Sequence, residues 1–137
     1  MKVVVDTNVL VSGVFFGGMP SRILEAWRDK RIDVVVSPDI LEEYRRVGEH
    51  LETQFTDVTL APFLALLVMN AEIIEPPDLP EQVSRDSDDD KFIACALTAG
   101  VKYLISGDRH LLDLEEHDGV SIVTVREFLE REFPSAL

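Results

Sequence analysis

The stretch Lys2-Val3-Val4-Val5-Asp6-Thr7-Asn8 decides the fold of this chain. Its three consecutive valines predict a buried strand over Lys2–Val5, because β-branched residues favour extended backbone. Asp6 falls at the carboxyl end of that strand. In open parallel sheets ligands bind at the carboxyl ends of the strands, where the following loops form a crevice. The stretch therefore predicts a sheet and, directly after it, a candidate site residue.

Short apolar runs alternate along the chain with amphipathic helical patterns, which is typical of a parallel α/β sheet. The runs that predict four further strands are residues 34–36, 73–74, 103–105 and 121–124. Helices are predicted from Pro20, from Ser37, from about Thr56, from about Asp88 to Thr98, and over residues 125–132. A chain of 137 residues without repeats or a linker is predicted to form a single domain over residues 1–137.

Composition limits the classes of function. The formal net charge is −13, from 26 acidic and 13 basic residues, which taken alone argues against a nucleic-acid partner. No apolar run approaches the roughly 20 residues needed to cross a bilayer, so no membrane partner is expected. A lone cysteine, Cys95, cannot form an internal disulfide, and no signal peptide is recognisable. These features favour a reducing, cytoplasmic location.

Two further acidic residues occupy informative positions. Asp108 follows the predicted strand 103–105 through Ser106-Gly107, which repeats the arrangement of Asp6. If the two strands are neighbours, the two carboxylates face one another. In the second helix Glu43 flanks the apolar stripe and can reach a cleft, whereas Glu42 points nearly to the opposite side.

The segment Asp86-Ser87-Asp88-Asp89-Asp90 opens the fourth helix. Acids at a helix N-terminus cap free amides and oppose the helix dipole, and this accounts for Asp88 as an N-cap. Asp89 and Asp90 both lie within reach of the apolar side of the helix, and periodicity does not separate them. A calcium loop is disfavoured because the glycine and the terminal glutamate of that motif are absent.

Gathered carboxylates repel one another unless a cation neutralises them. Oxygen ligands favour hard divalent ions, so Mg²⁺ or Mn²⁺ is the expected cofactor. Such an ion would also admit a polyanionic substrate to an acidic protein.

These residues resemble the motifs of the PIN-domain family of ribonucleases. The first motif is matched by Asp6-Thr7-Asn8, the second by residues 37–44 with Glu43 at its acidic position, and the fourth by Ser106-Gly107-Asp108. The third motif is matched by residues 88–96. In that motif the metal-binding Asp lies three residues before an Ile-Ala pair, and this position is Asp90 here. The resemblance covers residues 1 to about 125.

The resemblance implies an α/β/α sandwich with strand order 3-2-1-4-5 and hydrolysis of RNA with Mg²⁺ or Mn²⁺. By analogy, Asp6, Asp90 and Asp108 would hold the metal, and Glu43 would bind it or orient the attacking water. Supporting roles would fall to Thr7, Asn8, Asp88 and Ser106. The branch that the chain resembles is that of bacterial toxins, which implies a homodimer silenced by a small antitoxin protein.

Two other functions compete with this interpretation. An Asp-nucleophile phosphatase of the haloacid-dehalogenase type would need a second Asp two residues after the first, where this chain has Asn8. A non-catalytic PIN-like binding module would not need all four acids. His50, His110 and His117 lack metal-ligand spacing with one another and are expected at the surface.

Overall fold

The computed structural model describes residues 1–136. The strands are β1 (Lys2–Val5), β2 (Asp33–Val36), β3 (Glu72–Ile73), β4 (Tyr103–Ile105), β5 (Glu116–His117) and β6 (Val120–Val123). The helices are α1 (Thr7–Phe15), α2 (Gly18–Arg28), α3 (Pro38–Glu52), α4 (Ala61–Asn70), α5 (Asp90–Ala99), α6 (Arg109–Leu112) and α7 (Val125–Glu132). Short 3-10 turns cover Ser87–Asp89 and Pro134–Ala136.

The sheet has the strand order β3-β2-β1-β4-β6-β5, with helices flanking it. β1 lies at the centre and pairs in parallel with β2 and β4, so its three valines are fully buried. The predicted three-layer PIN-like architecture is confirmed. The predicted fifth strand is β6, and the order 3-2-1-4-5 holds for the five predicted strands.

One strand was not predicted. β5 contains only Glu116 and His117 and pairs antiparallel with β6 across a tight turn. Asp118 and Gly119 in that turn have φ values of 47° and 91°, which belong to the left-handed region used by two-residue hairpins. Two polar residues carry no apolar alternation, and therefore no strand signal.

The helices differ from the prediction at three places, one of which is α6, a single turn over Arg109–Leu112 that was not predicted. α1 was not predicted, since its sequence is apolar almost all round and lacks the polar face that marks an amphipathic helix. α4 begins at Ala61 rather than near Thr56. α3 begins as predicted, with Ser37 accepting a hydrogen bond from the Ile40 amide at 3.2 Å.

Among residues 1–136 no single helix has the length and apolar character needed to cross a membrane. Taken together, α1 and α2 have the length and composition of a membrane span, but the two helices are bent by 94° at their junction. Both contribute buried residues to the core, which accounts for their apolar character.

Candidate metal centre

Asp6 is the buried acid at the end of β1, with 4% of its surface exposed. Its amide donates to the Ile105 carbonyl at 2.9 Å, which fixes the start of α1 against the end of β4. Burial is the main reason that the pKa of Asp6 is raised, and the negative charges of Asp108 and Glu43 add to it. A hydrogen bond from Ser106 opposes this shift. Asp6 thus carries a charge that its surroundings do not fully stabilise.

Ser106 connects the acids that follow β1 and β4. The Ser106 hydroxyl donates to Oδ2 of Asp6 at 2.6 Å. The Ser106 hydroxyl oxygen also accepts a hydrogen bond from the Asp108 amide at 2.9 Å. Oδ1 of Asp108 accepts in turn from the His110 amide at 2.8 Å. Because β1 and β4 are paired neighbours, their two terminal acids occupy the same edge of the sheet. Sequence reasoning assigned Ser106 a supporting role from resemblance alone.

Asp89 is the third acid of this cluster. It lies in the 3-10 turn before α5, is 8% exposed, and has a buried Oδ2 with no hydrogen-bond partner among the described residues. Burial and the charges of Asp108, Asp86 and Asp6 raise the pKa of Asp89 to about 7. A buried carboxylate oxygen without a donor costs free energy unless a proton or a cation satisfies it.

Asp90, which the resemblance implied would hold the metal, makes its hydrogen bonds to the loop before α5. Its Oδ1 accepts from the Ser84 amide at 2.7 Å, and its Oδ2 accepts from the Val83 amide at 3.0 Å. Both oxygens of Asp90 therefore hold the loop that precedes α5. Asp89 lies close enough to Asp6 and Asp108 for their charges to raise its pKa. Metal binding by Asp90 stays a prediction.

A 3-10 turn precedes α5. Asp90 was selected by the spacing of the family motif alone, and that spacing carries no information about the 3-10 turn over Ser87–Asp89. Asp86, not Asp88, caps this turn, because its Oδ1 accepts from the Asp88 amide at 3.0 Å. Asp88 is exposed and lines a separate cleft of about 530 Å³ together with Asp90 and Lys91.

Glu43 projects from α3 and already has partners. The ammonium of Lys91 lies 2.7 Å from Oε1 of Glu43, and the Thr7 hydroxyl donates to Oε2. The guanidinium of Arg46 lies 3.7 Å from the same Oε1. Glu43 is thus a charge held by protein cations, close enough to Asp6 to raise the pKa of that carboxyl.

The remaining predicted residues divide between buried and exposed positions. Thr7 is buried against Glu43, whereas Asn8 is exposed in the first turn of α1. Glu42 is exposed and pairs with Arg45. Lys91 was not predicted, and its only sequence signal is its position directly after the aspartate run.

The donor set fits a divalent cation. Asp6, Asp89 and Asp108 supply carboxylate oxygens, two of these acids have raised pKa values, and one oxygen of Asp89 is orphaned. Hard divalent ions prefer oxygen ligands of this kind. A cation among these carboxylates would satisfy Asp89 and relieve the repulsion between the three charges.

Comparisons with known proteins identify a family match and a solved structure with a similar fold. The sequence profile of the PIN domain matches residues 2–110. A crystal structure of PAE2754 from Pyrobaculum aerophilum superposes with a TM-score of 0.62 at 19% identity, covering 100% of this chain and 91% of that one. A search of curated proteins gave no match.

This chain belongs to the PIN-domain family. PIN domains are generally nucleases, which are hydrolases acting on nucleic acids, and such nucleases typically use a divalent metal.

Proposed function

We propose that this protein is a metal-dependent endoribonuclease that hydrolyses RNA phosphodiester bonds with Mg²⁺ or Mn²⁺. The observation that carries the proposal is the buried, unsatisfied carboxylate of Asp89 among the charges of Asp6 and Asp108. These three residues would hold the ion. When bound, the ion would lower the pKa of a water molecule and neutralise charge on the phosphate.

The protein side chains have separate tasks in this proposal. Ser106 orients Asp6 through its 2.6 Å hydrogen bond and holds Asp108 through the backbone amide. Glu43, fixed by Lys91 and Thr7, would orient the attacking water. The water would lose one proton to solvent as its oxygen bonds to phosphorus, and the leaving oxygen would take up a proton from solvent as its bond to phosphorus breaks.

The test is cleavage of a fluorogenic RNA by purified protein with Mn²⁺, Mg²⁺ or EDTA. We expect cleavage with either ion and none with EDTA, and Asp6→Asn should reduce it by at least about 100-fold. Glu42→Gln, which alters an exposed acid next to Glu43, is the matched control and should keep full activity. Cleavage by Asp6→Asn at the wild-type rate would reject the proposal.

A small phosphate ester distinguishes the rival functions in the same assay. An Asp-nucleophile phosphatase would hydrolyse p-nitrophenyl phosphate and leave RNA intact. A non-catalytic binding module would cleave neither substrate with either ion.

From the resemblance to bacterial toxins, we also propose a cytoplasmic homodimer that an antitoxin protein silences. The apolar surface on α4 supports a protein partner, since Leu66, Val68 and Met69 are all exposed, the last by 80%. Light scattering of the purified chain tests the dimer, which should have twice the monomer mass of 15.4 kDa. A mass of 15.4 kDa at micromolar concentration would reject it.

A further inference from the structure

We propose that Phe16 and Phe55 form a stacking subsite for an unpaired base of single-stranded RNA. The inference rests on the proposed function, because it names a part of the substrate that the nuclease would hold away from the acidic cluster. The ligand is a nucleobase, and the contact is made by aromatic rings rather than by charge.

The two phenylalanines are exposed rings that touch each other at the surface. Phe16 follows α1 and is 57% exposed, and Phe55 follows α3 and is 41% exposed. Their ring centroids lie 4.9 Å apart at an interplanar angle of 84°, so the rings meet edge to face. Because both rings stay exposed in this arrangement, ring surface remains open to a further partner. Exposed aromatic side chains of this kind stack the unpaired bases of single-stranded RNA.

α1 and α3 connect this aromatic pair to the acidic cluster. The two helices pack against each other, and near their starts the Thr7 hydroxyl donates to Glu43. Phe16 meets Phe55 at the other end of the same two helices. Phe16 lies nine positions after Thr7, which corresponds to about 14 Å along an α-helix. An RNA strand with a phosphate at the acidic cluster therefore reaches the pair within a few nucleotides.

The surface of α3 between the two places carries a cation. Arg46 is exposed, lies three residues after Glu43 on the same side of the helix, and contacts it at 3.7 Å. The neighbouring acids Glu42 and Glu49 pair instead with Arg45. A phosphate that passes along this side of α3 therefore meets Arg46, although the whole chain has a formal net charge of −13.

The aromatic character of the pair favours a base over a protein partner. The exposed apolar residues of α4 are Leu66, Val68 and Met69, which have no ring face for stacking. Binding through phosphates alone is weak for an acidic protein, because it depends on cations that replace counterions. Stacking needs no charge, and it accepts any base because every base has a π-face.

The experiment measures the fluorescence anisotropy of a fluorescein-labelled oligouridine of about ten nucleotides, with the intact protein in EDTA and in Ca²⁺. We expect Phe16→Ala and Phe55→Ala each to raise the Kd by at least about 5-fold, because each variant loses a ring. Phe16→Leu keeps an apolar side chain without a π-face and should bind as weakly as Phe16→Ala. Phe16→Trp should retain the affinity, and RNA should quench the fluorescence of the new indole.

Two controls separate stacking from other effects. Met69→Ala removes an apolar side chain that is 80% exposed on α4, and it should leave the Kd unchanged. Raising the salt from about 50 to 200 mM should weaken the wild type and Phe16→Ala by the same factor, because the phosphate contacts are the same in both. Circular dichroism checks that each variant is folded.

The inference is overturned if Phe16→Ala or Phe16→Leu binds the oligouridine as tightly as the wild type, or if the wild type binds it in neither condition. An unchanged Kd for Phe16→Ala together with a lower mass in light scattering would assign the pair to a contact between protein chains instead.

Failure of this inference is separable from failure of the proposed function, because binding is measured without Mn²⁺ and cleavage with it. Weakened binding by Phe16→Ala in a protein that cleaves no RNA would reject the nuclease alone. Cleavage by a protein whose Kd does not change in Phe16→Ala would reject the stacking subsite alone.

Discussion

The ammonium of Lys91 lies 2.7 Å from Oε1 of Glu43, and this ion pair joins the first turn of α5 to α3 across 48 positions of the chain. Both side chains are mostly buried, at 20% and 15% exposure. Lys91 therefore supplies a positive charge beside the acidic cluster before any metal binds. Removing it should leave Glu43 as a poorly compensated charge near Asp6.

Lys91→Met tests the role of this ion pair. We expect the metal-free protein to lose about 1–2 kcal/mol of unfolding free energy, because Glu43 would keep only the Thr7 hydroxyl and the more distant, exposed Arg46 as partners. Added Mn²⁺ should recover more stability in the variant than in the wild type, since the cation takes over part of the compensation. Urea unfolding with EDTA and with Mn²⁺ measures both effects.

Lys102→Met is the control for that experiment, since Lys102 is largely exposed and pairs with Glu132 at 3.3 Å. It should change the unfolding free energy by less than about 1 kcal/mol. Equal stability losses in the two variants would contradict a special role for Lys91.

Asp89→Asn and Asp90→Asn have opposite expected effects. Asp89→Asn should abolish Mn²⁺-dependent cleavage while leaving the metal-free fold as stable or more stable, because it removes a repelling charge. Asp90→Asn should retain cleavage and lose about 1–2 kcal/mol, because an amide nitrogen cannot accept from the Ser84 or Val83 amide. Cleavage assays and urea unfolding on the pair separate the two residues. The reverse pattern would restore the choice made from the sequence.

Ser106→Ala should weaken metal binding without abolishing it. The variant loses the hydrogen bond that stabilises the Asp6 carboxylate and the acceptor that holds the Asp108 amide. We expect the pKa of Asp6 to rise further and Mn²⁺ affinity at neutral pH to fall by about 10-fold. Calorimetric titration measures the affinity, with Ser121→Ala on β6 as the matched control. An unchanged affinity would show that Ser106 does not orient Asp6.

The raised pKa of Asp89 predicts the pH dependence of the metal-free protein. Its pKa is 3.8 in the reference state and about 7 in the fold, so between these values the folded protein binds more protons than the unfolded chain. Unfolding free energy should therefore decrease as the pH rises from about 4 to 7. Mn²⁺ affinity should increase over the same range, because the ion binds the deprotonated carboxylate.

Thermal unfolding in EDTA and in Mn²⁺ at several pH values measures this dependence. The unfolding temperature in Mn²⁺ should rise further above the unfolding temperature in EDTA as the pH approaches 7. Asp89→Asn should reduce this difference. A gap between the midpoints that does not change with pH would contradict the assignment.

The sequence alone determined the features that depend on local pattern. The valine run of β1, the Ser37 cap of α3 and the alternation of apolar runs predict the parallel sheet and its five main strands. Asp6 and Asp108 could be located from sequence because an acid directly after a buried strand lies at the carboxyl edge, whatever its neighbours.

The tertiary structure alone decided which further groups meet that edge. A 3-10 turn changes the rotation per residue, so helical periodicity could not distinguish Asp89 from Asp90. The Lys91–Glu43 pair and the Ser106–Asp6 hydrogen bond join distant segments, and no local propensity encodes such contacts. They exist because parallel pairing of β1 with β4, and packing of α5 against α3, bring these segments to one edge.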